Sequence, residues 1–328
     1  MIYALITLVL TLSAGLFSRS RAEVTYSSKA GLAWGGNSDE MVQFTSTGKV
    51  SWYYTWSPKS YVSNANIEFV PMLWGGRQTN EFSSSINNTV AGGGITAVLG
   101  MNECVLSLKI SFHGVDALLF RPQEIQQSNL TPSEGADMWK TYIEPLHSQF
   151  EGVRLGSPAP SGAPSGKTWL EQFLTECDGC TIDFIALHWY DINSTQFISY
   201  LQDFHETFDR PIWVTEWACQ NFNDVDNQCS TEEIEVFLNV TQSFMDNTDW
   251  VERYAWFGAM TDLQGVNPDN ALMDSGGDIN SLGKQYTGDE DNTPQGMSDG
   301  HSSSLPATSV RWLLWTLFFL RFAPILAI

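Results

Sequence analysis

At 328 residues the chain is long enough for two ordinary domains or one large barrel, and 43% hydrophobic residues supply a sizeable core, which excludes wholesale disorder. Charged residues make up 16%, yet 37 acids against 16 bases leave a net charge of −21. So acidic a chain is repelled by phosphate backbones, which argues against nucleic acid as a partner. Aromatic residues reach 13%, with thirteen Trp; these suit a Trp-rich core and equally a sugar-binding cleft, because pyranose faces stack on indole rings.

In chain order, Met1 to Phe17 is an apolar run followed by Ser20-Arg21-Ala22, a small-x-small cleavage site, so residues 1–22 read as a secretory signal peptide. Short β-rich runs then recur at Ala30–Trp34, Ser51–Trp56, Ile67–Trp74, Ile95–Asn102, Val153–Pro158, Ile182–Tyr190, Pro211–Trp217 and Arg253–Met260. Most are continuously apolar, as expected of parallel strands covered on both faces. Helix-like stretches lie between the later runs. Thr131-Pro132-Ser133-Glu134 is a capping box with Pro at the first helical position, predicting a helix to about Phe150. Thr168–Cys177, Thr195–Phe208 and Thr231–Met245 are the others, whereas early crossovers such as Pro58–Ile67 are too short for full helices. Eight strands with intervening helices predict a single α/β (β/α)8 TIM barrel over residues 23–288, with a doubly wound sheet as the alternative.

A secreted chain admits disulfides and N-glycans. Cys177 and Cys180 form a CxxC, and Cys219 and Cys229 bracket a polar loop. A redox motif or half a zinc site is the alternative for the first pair, but no second CxxC or His pair completes a metal site, so two local disulfides are expected and no metal. Cys104 is left over. Sequons place candidate glycans on Asn87, Asn129, Asn193 and Asn239. Residues 289–311 read as a linker with small residues and a polar spacer, ahead of an apolar tail, 312–328, interrupted by Arg321 and Pro324. A central Arg costs a spanning helix roughly 2.5–3.5 kcal/mol; small residues, spacer and tail make the pattern of a glycosylphosphatidylinositol attachment signal, with a poor membrane helix or a frayed tail as the alternative.

In barrels of this kind, polar residues at the C-terminal ends of strands build the site. The fourth run ends Gly100-Met101-Asn102-Glu103 and the seventh ends Val214-Thr215-Glu216-Trp217; the sixth ends His188-Trp189-Tyr190, and the eighth carries Trp256. Two carboxylates at an aromatic mouth are what glycoside hydrolysis needs, one to protonate the leaving oxygen and one to attack the anomeric carbon or activate water.

GMNE with VTEWA resembles the clan of retaining barrel glycosidases, and KAGLAWGG, LHWY, the WACQ…C loop and RYAWFGAM are more narrowly similar to glycoside hydrolase family 128, the fungal β-1,3-glucanase group that includes alkali-sensitive-linkage wall proteins. The resemblance spans about Ser27 to Gly288. It implies a retaining endo-β-1,3-glucanase without cofactors, with Glu103 as general acid/base, Glu216 as nucleophile and a β-1,3-glucan as partner. Asn102 is then placed to bond a substrate hydroxyl, Tyr190 to restrain Glu216, and His188 to orient the pair or bind sugar. Trp34, Trp56, Trp74, Trp217 and Trp256 are the candidate stacking platforms, Trp256 and Trp74 foremost. With its anchor, the protein is expected at the cell surface or in the wall, as a monomer touching membrane through lipid alone.

One departure interrupts the resemblance. In the family, Asn-Glu is normally followed by Pro and a short polar loop, whereas here 18 residues, Cys104 to Arg121, precede Pro122-Gln123-Glu124. Deleting them restores a direct path into the helix capped by Thr131, and they include the odd cysteine, so they read as a retained in-frame intron; a genuine loop reshaping the cleft is the alternative. The disturbed loop also motivates a second functional reading, a catalytically weak or inactive glucan-binding or structural surface protein.

Overall fold

The computed structural model describes residues 28–104, 110–112, 115–117 and 127–289. The expected signal peptide, the linker past 289 with its attachment signal, the apolar tail and most of 104–121 lie outside the described residues. Among the described residues, no helix is long and apolar enough to cross a membrane.

The eight β-rich runs all appear as parallel strands, mostly shortened at their ends. They are β1 (Ala30–Ala33), β2 (Val50–Tyr54), β3 (Glu68–Phe69) and β4 (Ala97–Leu99), then β7 (Arg154–Gly156), β8 (Ile185–Tyr190), β9 (Ile212–Ala218) and β10 (Val251–Trp256). Between the two groups, β5 (Ile110–Phe112) and β6 (Val115–Ala117) pair antiparallel with each other, inside the 104–121 segment. The architecture is α/β with a six-stranded parallel sheet, ordered β3-β2-β1-β10-β9-β8, and a separate parallel pair, β4-β7. Among the described residues, the strands do not join into the one closed eight-stranded sheet that the sequence predicts. Single parallel bridges, Met72 with Leu99 and Gly156 with Phe184, extend from the pair toward the two edges of the larger sheet.

The helices are α1 (Val42–Thr45), α2 (Thr79–Ala91), α3 (Pro132–Met138), α4 (Glu144–Gln149), α5 (Pro164–Glu176), α6 (Ser194–Phe208), α7 (Thr231–Asp246) and α8 (Ser281–Thr287). The Thr131–Glu134 capping box is present, and the helix it opens runs through a π turn at Trp139–Ile143 into α4, ending at Phe150 as expected. Sequence reading missed α2. Its TNEFSSSINNTVA is rich in Ser, Asn and Thr, which compete for backbone hydrogen bonds, and it is held by Phe82, Ile86 and Val90 at four-residue spacing.

Two buried clusters divide the side chains of each strand. The smaller is enclosed by the sheets and contains Trp52, Tyr54, Phe184 and Trp213; the larger lies between strands and helices. Trp213 stacks on Phe184 with centroids 3.9 Å apart, and Trp52 tilts against it at 5.4 Å. Room for Trp52 comes from Gly31, where a Cβ would sit 2.2 Å from the indole. Below these rings Arg253 lies 4.4 Å over Trp213, and Glu252 accepts from both Arg154 (2.7 Å) and the Trp213 indole (2.9 Å). This charged layer closes the end of the core opposite the candidate site.

Candidate active site

The site sits where β4, β8 and β9 end. A register shift between Leu187 and His188 pairs Leu187 with Val214 but His188 with Glu216, leaving Thr215 as the extra residue of a β-bulge. Regular alternation would turn Glu216 outward, since Trp213 packs inside and Val214 outside. The bulge re-aims it to the face that carries His188, a common use of bulges at active sites.

Glu216 is 5% exposed at its side chain and held by a web of donors. The Tyr190 hydroxyl donates to Oε2 at 2.6 Å and the Trp56 indole N–H to Oε1 at 2.8 Å. The Tyr54 hydroxyl donates to the Thr215 carbonyl at 2.9 Å and lies 3.4 Å from Oε1. Burial pushes the Tyr54 and Tyr190 phenols well above their ordinary range, and the negative charge of Glu216 pushes them further. Both hydroxyls therefore keep their protons and remain donors.

Glu103 is more open, its side chain 16% exposed. His188 is fully buried between the two acids, its Nδ1 3.3 Å from Glu103 Oε1 and 3.4 Å from Glu216 Oε2. That contact is attractive with a proton on Nδ1. Burial by itself lowers the imidazole pKa; the charge of Glu216, and the hydrogen bond and charge of Glu103, outweigh it and carry it above 6.5. One donor atom from each of Glu103, His188 and Glu216 lies within 4.8 Å of the others. These ligand types could hold a divalent cation, although each carboxylate already has an oxygen turned to His188 Nδ1.

Backbone strain marks the same place. Glu103 has φ +41° and Trp56 +51°, left-handed conformations that non-glycine residues rarely adopt and that cluster at functional sites. Asn102 is anchored beside Glu103. Its N–H donates to the Trp74 carbonyl (3.0 Å), its carboxamide to Gln127 Oε1 (3.2 Å), and its carbonyl accepts from Ser128 (2.5 Å). Its buried Oδ1 has no partner among the described residues. Cys104 follows, fully buried with a free thiol that burial pushes up to about 12.

The tryptophans divide in a way the sequence did not predict. Trp56 and Trp74 are partly exposed; Trp56 spends its N–H on Glu216, whereas Trp74 meets the site through its carbonyl, which accepts from the Asn102 N–H, and carries the Arg77 guanidinium 4.4 Å over its ring. Trp34, Trp217 and Trp256 are fully buried and offer no face to a sugar. Trp256 faces outward on β10, donates to the Asn270 carbonyl (2.8 Å) and meets Trp217 edge-on at 5.0 Å. Trp217, which regular alternation would put on the same face as Trp213, is carried to the outer cluster by the bulge at Thr215. Sequence reasoning missed Tyr54, although it stands two residues before Trp56. It also missed Phe257, edge-on to both Trp56 and Tyr190.

Both expected disulfides are present, Cys177–Cys180 and Cys219–Cys229. The second closes the loop that follows Glu216, and its base is fixed by Asn270, whose side chain accepts from the Cys219 N–H (3.0 Å) and donates to the Cys219 carbonyl (3.1 Å).

A glycosyl hydrolase catalytic core family model matches residues 31–286. Alkali-sensitive linkage protein 1 of Schizosaccharomyces pombe is 34% identical over 263 residues, 79% of this chain; the chain spans 44% of that relative's length. A family 128 subgroup III curdlan-specific exo-β-1,3-glucanase from Blastomyces gilchristii, solved with glucose, superposes with TM-score 0.61 at 30% identity, covering 79% of this chain and 97% of that one. A subgroup I endo-β-1,3-glucanase from Amycolatopsis mediterranei, solved with laminaritriose, gives TM-score 0.60 at 26% identity over 80% of this chain and 99% of that one. A matched model over most of the described chain, and matching solved folds whose catalytic class two strand-end carboxylates would serve, place the chain in glycoside hydrolase family 128.

Proposed function

We propose that the chain is a retaining β-1,3-glucanase in which Glu216 is the nucleophile and Glu103 the general acid/base. The observation that carries this reading is His188 Nδ1 lying 3.3 Å from Glu103 Oε1 and 3.4 Å from Glu216 Oε2, which brings an oxygen of each carboxylate onto one imidazole nitrogen. Retaining glycosidases hold their carboxyls about 5–5.5 Å apart, whereas inverting ones leave about 6.5–9.5 Å for a water. Glu216 is the buried acid whose oxygens already have fixed donors, which suits a nucleophile that must approach the anomeric carbon as an anion. Glu103, the more exposed one, must protonate the leaving oxygen, then take a proton from the incoming water. Asn102 is positioned to meet the sugar's 2-hydroxyl, and Trp74 and Trp56 to border it.

The wall of this site is proposed to be a (β/α)8 barrel, a reading supported by the bridges that flank β4-β7. Cleavage inside the glucan chain rests on the sequence resemblance, since relatives with exo and endo action match this fold to a similar degree. Secretion, glycosylation, a lipid anchor, residence at the cell surface and a monomeric state complete the proposal. Secretion and the anchor at the surface are supported by the sequence signals, and glycosylation by four sequon asparagines that are all exposed. Laminarin digestion tests the central part: oligosaccharides released early support endo action, glucose alone would replace it with exo action, and no reducing sugar would refute hydrolysis.

A second reading is a glucan binder without turnover, favoured by the buried Cys104 and the strained Glu103 at the start of the 104–121 segment. Retention on laminarin without turnover, both with and without residues 104–121, is the result that would select it.

A further inference from the structure

On the outer face, away from the two carboxylates, α2 runs beside the π turn and α4, and an open groove of about 150 Å3 lies between them. Its floor is apolar and buried, made by Phe82, Ile86 and Leu146, with Tyr142 and Pro145 half-buried along one wall. Its rim is polar and exposed, with Ser83 on α2 facing Thr141 and Gln149. Apolar floor, aromatic wall and hydroxyl-bearing rim match one pyranose, which presents a C–H face and a polar edge. The wall opposite Tyr142 carries Asn87, exposed one turn before the C-terminal end of α2 and the first residue of an Asn-Asn-Thr sequon.

We propose that this groove seats the first N-acetylglucosamine of an N-glycan on Asn87, with the sugar packed against Tyr142 so that the glycan bridges α2 to the 139–149 segment. Attachment supplies the sugar at high effective concentration, so a shallow groove suffices where a free monosaccharide would lose too much translational freedom. The glycan is added before the helix forms, and Thr89, the third sequon residue, then donates its hydroxyl to the Pro58 carbonyl (3.1 Å) without involving Asn87. The bridged element needs such support: α2 has poor intrinsic helix propensity and few buried residues. The inference rests on passage through the secretory pathway and is independent of the proposed hydrolysis.

The test is to secrete the full chain from a eukaryotic host, map Asn87 by glycopeptide mass spectrometry, and trim the glycans to a single isotope-labelled N-acetylglucosamine for NMR. The expected result is an occupied Asn87 whose sugar protons are shifted upfield by the Tyr142 ring, a shift lost in Tyr142→Leu while occupancy is unchanged. Asn87→Gln should also lower Tm by about 2–4 °C. An unmodified Asn87 in the secreted chain, or sugar signals indifferent to Tyr142→Leu, would overturn the proposal.

Discussion

The Tyr190 hydroxyl donates to Glu216 Oε2 across 2.6 Å, joining the ends of two neighbouring strands through one hydrogen bond to a carboxylate. Hydrogen bonds to charged groups contribute about 1.5–3 kcal/mol. Tyr190→Phe should therefore lower kcat/KM on laminari-oligosaccharides by about 10- to 100-fold, with the fold intact by circular dichroism. A kcat/KM within twofold of the parent would show that the bond does not position Glu216 for the proposed reaction.

His188 gives a pH dependence with a defined sign. Its folded pKa stands above 6.5, because Glu216 and Glu103 together outweigh burial. The stability it contributes is then fully present below its unfolded value and is lost as pH rises through the raised folded one. Urea titrations of the parent and of His188→Gln should show a stability gap at pH 5.5 that narrows by pH 8.5. A gap that widens would contradict the assignment.

The tryptophans separate packing from binding. Trp256→Ala should cost about 3–5 kcal/mol of stability, as expected for a buried indole. Trp74→Ala should leave stability within about 1 kcal/mol and raise KM. Calorimetry and steady-state kinetics on both variants check this, and the reverse pattern would return Trp256 to the cleft.

Thiol counting tests the cysteine framework. The folded chain should resist alkylation at pH 8, because the Cys104 thiol is buried and titrates near 12, and one thiol per chain should react after unfolding without reductant. Replacing Cys219 and Cys229 with Ala should cost about 3 kcal/mol or less for so short a loop. Three or more reactive thiols after unfolding would break the pairing.

Much of this was legible in the chain because buried parallel strands are written as apolar runs and helix starts as capping boxes. Glu103, Glu216, His188 and Tyr190 could be named because each ends such a run. Trp217 could not be placed, because the bulge at Thr215 reverses the inside–outside alternation and leaves no signature in VTEWA. Nor could the α2 helix, whose propensity is poor and whose formation depends on packing by Phe82, Ile86 and Val90. Trp56 was legible as a cleft residue but not as a donor to Glu216, a contact made from a left-handed backbone that no sequence pattern announces.

The central claim is double displacement through Glu216, and the most direct measurement is the anomeric configuration of the first-formed product. Proton NMR should follow laminari-oligosaccharide hydrolysis before mutarotation, by the full chain and by the chain lacking Cys104–Arg121. The account predicts the β-anomer first in whichever form is active, and loss of turnover in its Glu216→Ala variant. First-formed α-anomer would contradict it.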